Sequence, residues 1–279
     1  MQLTKIALCL PVACSAGFGY VLCRPVLDWS LVLVMLGVLA LACGAAVGNS
    51  LQEIDIDRLY ARTCKRPLVT GQLRVPEARL ACGTLVILGL VLLRISSAAA
   101  LPLLLGVFAL VAYNVLYTPL KQTSPYALFP GGLAGALPPL IGWSAAGGRM
   151  VSVTSWLLFS LLFLWQIPHF FLVFYRHRQD YEQVGRPTLI AQISAPGLYR
   201  VLLVWLFALI TVTLAFPLLL PQLQSASKIL FLVLAGGFFG IGGIMWFWKE
   251  GGGQGEALLF FNTCFFFTMI LVMAVQLWW

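Results

Sequence analysis

Val47-Gly-Asn-Ser-Leu-Gln-Glu-Ile-Asp-Ile-Asp-Arg-Leu-Tyr-Ala-Arg-Thr-Cys-Lys-Arg-Pro-Leu-Val-Thr-Gly71 is the stretch around which the chain is organised. It holds three of the nine acids (Glu53, Asp55, Asp57) and four of the seventeen bases (Arg58, Arg62, Lys65, Arg66), between long apolar runs. Asn49, Glu53 and Asp57 are spaced i, i+4, i+8, so on a helix they fall near one face, drifting about 40° per step. Carboxylates stacked in this way and followed at once by bases can hold a hard cation beside a polyanion. Mg²⁺ takes oxygen ligands and is commonly shared between a few carboxylates and substrate phosphates. Arg and Lys then neutralise the remaining phosphate charge. The plainer alternative is a juxtamembrane loop whose charges only fix topology, and the ordered spacing favours the site.

The flanking runs set the class. Hydrophobic residues make up 61% of the chain and charged residues 9%, and the mean hydropathy is +0.97. That composition reads as a single polytopic membrane domain over 1–279, its acid-bearing loops near 49–76 and 176–190. The net charge of +8 therefore reads as topology in the lipid bilayer, and no nucleic acid is expected. The seven cysteines form no CxxC pair, and all but Cys64 lie in apolar runs. They read as small packing residues. The first apolar run lacks a small-residue cleavage site after it, so an integral helix is expected there, and no transit segment precedes it. A bacterial cell (inner) membrane is the expected location.

Apolar runs long enough to span about 30 Å of hydrocarbon fall near 6–23, 29–48, 77–95, 97–118, 126–147, 153–175, 198–220, 228–247 and 257–278. The expectation is an all-α integral membrane protein of nine transmembrane helices, N-in and C-out. That orientation puts thirteen bases on the cytoplasmic side against four outside, a positive-inside bias. Eight of the nine acids, all except Asp28, share the cytoplasmic side. Positive-inside does not require that, and a face rich in both signs looks like a site facing the cytoplasm. Acid-bearing loops after the second and sixth spans hint at a parallel internal repeat around a shared cavity.

Three further segments carry signals. Tyr113-Asn-Val-Leu-Tyr-Thr-Pro-Leu-Lys121 closes the fourth span, and Pro119 is expected to stop its helix. Phe129-Pro-Gly-Gly-Leu-Ala-Gly-Ala-Leu-Pro-Pro-Leu-Ile-Gly-Trp143 opens the fifth, and its Gly and Pro content reads as either close helix contact or a broken helix lining a cavity. Trp165-Gln-Ile-Pro-His-Phe170 puts Gln166 and His169, rare intramembrane polar groups, in the sixth span, where such groups face a bundle interior or a water-filled cavity.

Asn49-xxx-Glu53-xxx-Asp57 resembles the NxxxDxxxD motif of the UbiA superfamily of intramembrane prenyltransferases. Asp55-Ile-Asp-Arg58 running into Arg66-Pro-Leu-Val-Thr-Gly71, Tyr117-Thr-Pro-Leu-Lys121, Gly131 to Trp143, and Trp165 to Phe170 with Asp180-Tyr181 are similar to its branch that prenylates heme. The resemblance is strong over roughly 45–190 and elsewhere covers the pattern of spans. It implies nine helices around a central cavity with two acidic motifs binding a prenyl diphosphate through Mg²⁺. Asn49, Glu53, Asp57 and Asp180 would be the catalytic set, with Glu53, Asp57 and Asp180 on the metal. Arg58, Arg62, Lys65, Arg66, Lys121 and Arg178 would neutralise the diphosphate. The implied reaction moves a farnesyl group from farnesyl diphosphate to a vinyl group of heme B, giving heme O, with a downstream heme-modifying oxygenase as a further expected partner. Gln166 and His169 would meet the acceptor, His169 at the iron or ring face. Glu53 stands where the family has Asp, and Gln179 where it commonly has a second Asp. The other readings are a prenyltransferase for an aromatic acid or quinone precursor and a bundle that binds heme or lipid without chemistry.

Overall fold

The computed structural model describes residues 4–176, 195–220, 223–233 and 268–278, with residues 236 and 265. Among these every regular element is helical. The elements are α1 (Ile6–Cys23), α2 (Trp29–Gln52), the one-turn α3 (Ile54–Asp57), α4 (Val75–Ser96), α5 (Leu101–Leu110), a π segment (Val111–Tyr117), α6 (Thr118–Thr123), α7 (Leu128–Ala145), α8 (Val153–Arg176) and α9 (Ala195–Leu219). Five helical stretches are long and apolar enough to cross a membrane: Ile6–Cys23, Trp29–Gln52, Val75–Ser96, Leu101–Thr123 and Val153–Phe171. Most of the expected eighth span and of the second acidic loop falls outside the described residues, and the ninth span is described as an apolar helix over Thr268–Trp278.

The helices close a ring: α1 packs on α2, α2 on α4, α4 on α5, α5 on α7, and α7 back on α1, with α8 packed on α7 and α9 on α8. Leu80, Ile87, Val91, Ile95 and Leu104 are exposed along α4 and α5. In a chain of this composition those faces are the ones that meet lipid. Lipid tails are as apolar as leucine, so close approach holds such helices together. A Cβ on Gly142 would lie 1.8 Å from the Ala16 carbonyl oxygen, and one on Gly19 would lie 1.9 Å from that of Pro139. Helices α1 and α7 therefore touch backbone to backbone. A Cβ on Gly89 would lie 2.8 Å from the Gly37 carbonyl oxygen, giving α2 and α4 the same kind of crossing.

One expectation about a helix end is corrected, and of the two open readings of the fifth span close contact holds while the break does not occur. Pro119 does not stop the fourth span, because the wide π turn precedes it. The Thr118 N–H reaches back to the Tyr113 carbonyl, and the chain re-enters α-helix with Pro119 in its first turn, where no donor is missed. The fifth span is an unbroken α7 through Pro138 and Pro139, so its small residues serve contact and, as described below, a cavity wall. Polar ends are satisfied locally. The Asp28 carboxylate accepts from the Leu31 N–H at 3.0 Å and caps α2, and Glu77 accepts from the Arg74 N–H at 3.1 Å at the start of α4. Farther on, Gln276 accepts from the Ser227 hydroxyl at 2.9 Å, tying 225–233 to Thr268–Trp278.

Candidate active site

The Asn49, Glu53, Asp57 series does not lie on one continuous helix. Helix α2 ends at Gln52, and Glu53 takes φ −109°, ψ 10° before the single turn of α3, in the sparsely populated bridge region. The i, i+4 register survives the break. The Glu53 N–H donates to the Asn49 carbonyl at 3.1 Å, and the Asp57 N–H to the Glu53 carbonyl at 2.7 Å. All three side chains are buried and line one polar basin, with Tyr60, Arg62, Arg66, Tyr117 and Lys121 on the same wall.

Each acid has a basic partner brought from elsewhere in the chain. Lys121 Nζ lies 3.1 Å from Glu53 Oε2 and donates to Asn49 Oδ1 at 2.7 Å. The Thr118 hydroxyl donates to the same Asn49 oxygen at 3.2 Å, while Asn49 Nδ2 donates to Glu53 Oε2 at 2.9 Å. Arg66 pairs with Asp57 Oδ2, and the Thr63 hydroxyl donates to the Asp57 carbonyl at 2.9 Å. With Arg62 and Lys5 the wall carries four bases against two acids. That surplus suits a polyanion.

Deeper in the ring lies an apolar chamber walled by α1, α2, α5, α7 and α8. Lys5, Leu8 and Tyr113 line both spaces, so chamber and basin adjoin at this neck. Gly131, Ala134, Gly135 and Pro138 of α7 form one chamber wall. Gln166 and Phe170 of α8 line the chamber and Val173 the basin, at i, i+4, i+7 along one helix face. Gln166 fits because position 135 is glycine: a Cβ there would lie 2.2 Å from its Nε2.

The other expected residues fall as follows. His169 is turned off that face, stacked on Trp165 (ring centroids 4.9 Å apart, planes at 18°) and edge-on to Phe170. Neither described cavity is lined by it. Arg58 is exposed and pairs with Asp55 at 3.2 Å. Lys65 is exposed as well, and neither base reaches the basin wall. Arg178, Gln179 and Asp180 lie outside the described residues. Sequence reasoning missed Thr118 and Tyr113, although both belong to or precede the Tyr-Thr-Pro-Leu-Lys segment at helical spacing. It counted Lys5 only as a topological charge. Burial pushes the Lys5 amine down to about 8, the Arg66 and Lys121 charges press the same way, and Glu53 and Asp57 oppose them.

The sequence model of the UbiA prenyltransferase family matches residues 10–271. A relative from Cytophaga hutchinsonii named protoheme IX farnesyltransferase is 33% identical over 278 residues, covering 97% of this chain and 94% of its own length. A relative of the same name from Geobacter sulfurreducens is 38% identical over 212 residues, 75% of this chain and 78% of its own. Among solved structures, an apo UbiA homolog from Aeropyrum pernix K1 superposes with a TM-score of 0.78 at 20% identity, covering 98% of this chain and 97% of its own. A UbiA homolog from Archaeoglobus fulgidus bound to GPP and Mg²⁺ does so with a TM-score of 0.76 at 18% identity, covering 99% and 98%.

Proposed function

We propose that this chain, which belongs to the UbiA prenyltransferase family and is a membrane prenyltransferase, transfers farnesyl from farnesyl diphosphate to a vinyl group of heme B. The product is heme O, and diphosphate is released. One observation carries the reading: a cation-rich basin adjoins an apolar chamber at a shared neck. A prenyl diphosphate has that same division, a charged head on an apolar tail. The relatives' name supplies the acceptor.

The residues divide the work. Arg62, Arg66 and Lys121 hold the diphosphate and stabilise the charge it gains as the allylic C–O bond breaks, the electrostatic form of catalysis. Arg58 and Lys65, which do not line the basin, and Arg178, which lies outside the described residues, belong to the same proposed set. The chamber keeps water from the allylic cation until the vinyl carbon attacks it, and water then supplies the hydroxyl. Gln166, one of the few polar side chains in the chamber wall, orients the acceptor. His169 reaches it by leaving its stack on Trp165.

Mg²⁺ fits the donor set. Glu53 and Asp57 offer buried carboxylate oxygens four residues apart beside the Asn49 amide. Among the described residues no third acid, His or Cys joins them, so the remaining ligands would come from the diphosphate and Asp180. Such a shared site is what Mg²⁺ favours, and the ion would add positive charge to the leaving group. By the orientation of the charges, the basin opens to the cytoplasm of a bacterial inner membrane.

Purified protein with heme B, farnesyl diphosphate and Mg²⁺ should form heme O and release diphosphate. His169→Ala and Gln166→Ala should each change the heme spectrum and lower product while farnesyl diphosphate still binds. Prenylation of an aromatic acid in place of heme, or heme binding with no product, would refute this assignment.

A further inference from the structure

Lys5 stands apart from the other bases of the basin. Arg66 and Lys121 are each tied to an acid. The Lys5 amine makes no hydrogen bond or ion pair among the described residues, although it lines both the basin and the chamber. Its backbone is the one non-glycine with positive φ among the described residues, φ 49°, ψ 41°, immediately before α1. The left-handed region is unfavourable for lysine, and a half-buried amine near Arg66 and Lys121 is repelled by both. A charged amine placed in such surroundings is organised to meet an anion.

We propose that Lys5 is a fourth cation of the donor site beside Arg62, Arg66 and Lys121, set at the neck where the diphosphate joins the first carbon of the prenyl chain. This rests on the prenyl diphosphate reading above and adds a residue to it. Basin residues grip the outer phosphate, and chamber residues take the tail. Among the described residues Lys5 is the one base that touches both spaces, so it faces the ester oxygen between them. The carbon–oxygen bond breaks heterolytically, its electron pair leaves on that oxygen, and the ammonium donates a hydrogen bond to the departing diphosphate without giving up its proton. The carbon cation passes to the acceptor.

The test uses the full-length purified protein and two probes that do not react: farnesyl S-thiolodiphosphate, which engages the neck, and farnesol, which engages only the chamber. Lys5→Asn removes the charge while tolerating the left-handed backbone. Adding Gln2→Lys to it restores the terminal positive charge that guides insertion. Lys5→Arg keeps the charge at the neck. Losing a charge-assisted hydrogen bond should weaken thiolodiphosphate binding by about tenfold or more in Lys5→Asn, with or without Gln2→Lys. Farnesol affinity should be unchanged, and Lys5→Arg should recover most of the loss. Unchanged thiolodiphosphate affinity in Lys5→Asn would overturn the proposal. So would a parallel loss of farnesol affinity, which marks a role in holding the fold. If the wild type binds farnesol but not the thiolodiphosphate, the diphosphate reading itself fails, and Lys5 with it.

Discussion

The Glu53–Lys121 pair joins residues far apart in sequence, and breaking it should separate what it does for stability from what it does for chemistry. The two charges sit 3.1 Å apart with side chains 8% and 15% exposed. At an effective dielectric of about 20 their attraction is about 5 kcal/mol, and the desolvation of both ions offsets part of it. Lys121→Met leaves a buried carboxylate without its cation and Asn49 without its 2.7 Å donor, so we expect about 3–5 kcal/mol of destabilisation. Glu53→Gln leaves Lys121 the more exposed partner and should cost less. The double variant, Glu53→Gln with Lys121→Met, removes both charges and should be more stable than the sum of the singles by about 2–3 kcal/mol. Reversible unfolding in mixed micelles, followed by tryptophan fluorescence, measures this cycle. All three variants should lose turnover, since the donor site needs both groups. Stability losses that add within about 0.5 kcal/mol would mean that the pair does not form, and the arrangement of the basin would then be wrong.

Other outcomes follow from single contacts. Asp57→Asn keeps the side chain's shape and removes one proposed Mg²⁺ ligand, so turnover should fall below about 1% of wild type, a loss of roughly 3 kcal/mol in transition-state stabilisation, in a protein that still inserts. Near-normal turnover would remove Asp57 from the site. Gly142→Ala puts a methyl where the Ala16 carbonyl oxygen already is; forcing α1 and α7 apart should cost about 1–3 kcal/mol, and an unchanged melting temperature would show that the helices do not approach so closely. A reporter fused after Trp279 should lie outside and one fused near Arg66 in the cytoplasm, as the charge distribution requires. A cytoplasmic C-terminus would mean a miscounted span.

What could be read from the sequence was local. Apolar runs of about twenty residues have few fates other than a membrane helix, so the spans of α1, α2 and α4 were legible to within a few residues. Asn49, Glu53 and Asp57 were legible from spacing alone, even though the helix breaks at Glu53, because the backbone bonds across the break keep the register. Pro119 misled because its effect depends on the π turn before it, which no local signal announces. The partnership of Lys121 with Glu53 and Asn49, and the convergence of Lys5 on the same basin, join residues far apart in sequence and carry no periodic trace. Gln166 stood out as a polar group in an apolar span, but the clearance that admits it belongs to Gly135 on another helix.

The central claim is that this basin and chamber attach a farnesyl chain to heme. The most direct measurement is mass analysis of the hemes and quinones extracted from membranes that overproduce the chain, beside membranes that overproduce Asp57→Asn. The account predicts heme carrying a hydroxyethylfarnesyl group in the first and only heme B in the second. An unaltered heme pool together with a new prenylated aromatic acid or quinone precursor, also lost in Asp57→Asn, would contradict it.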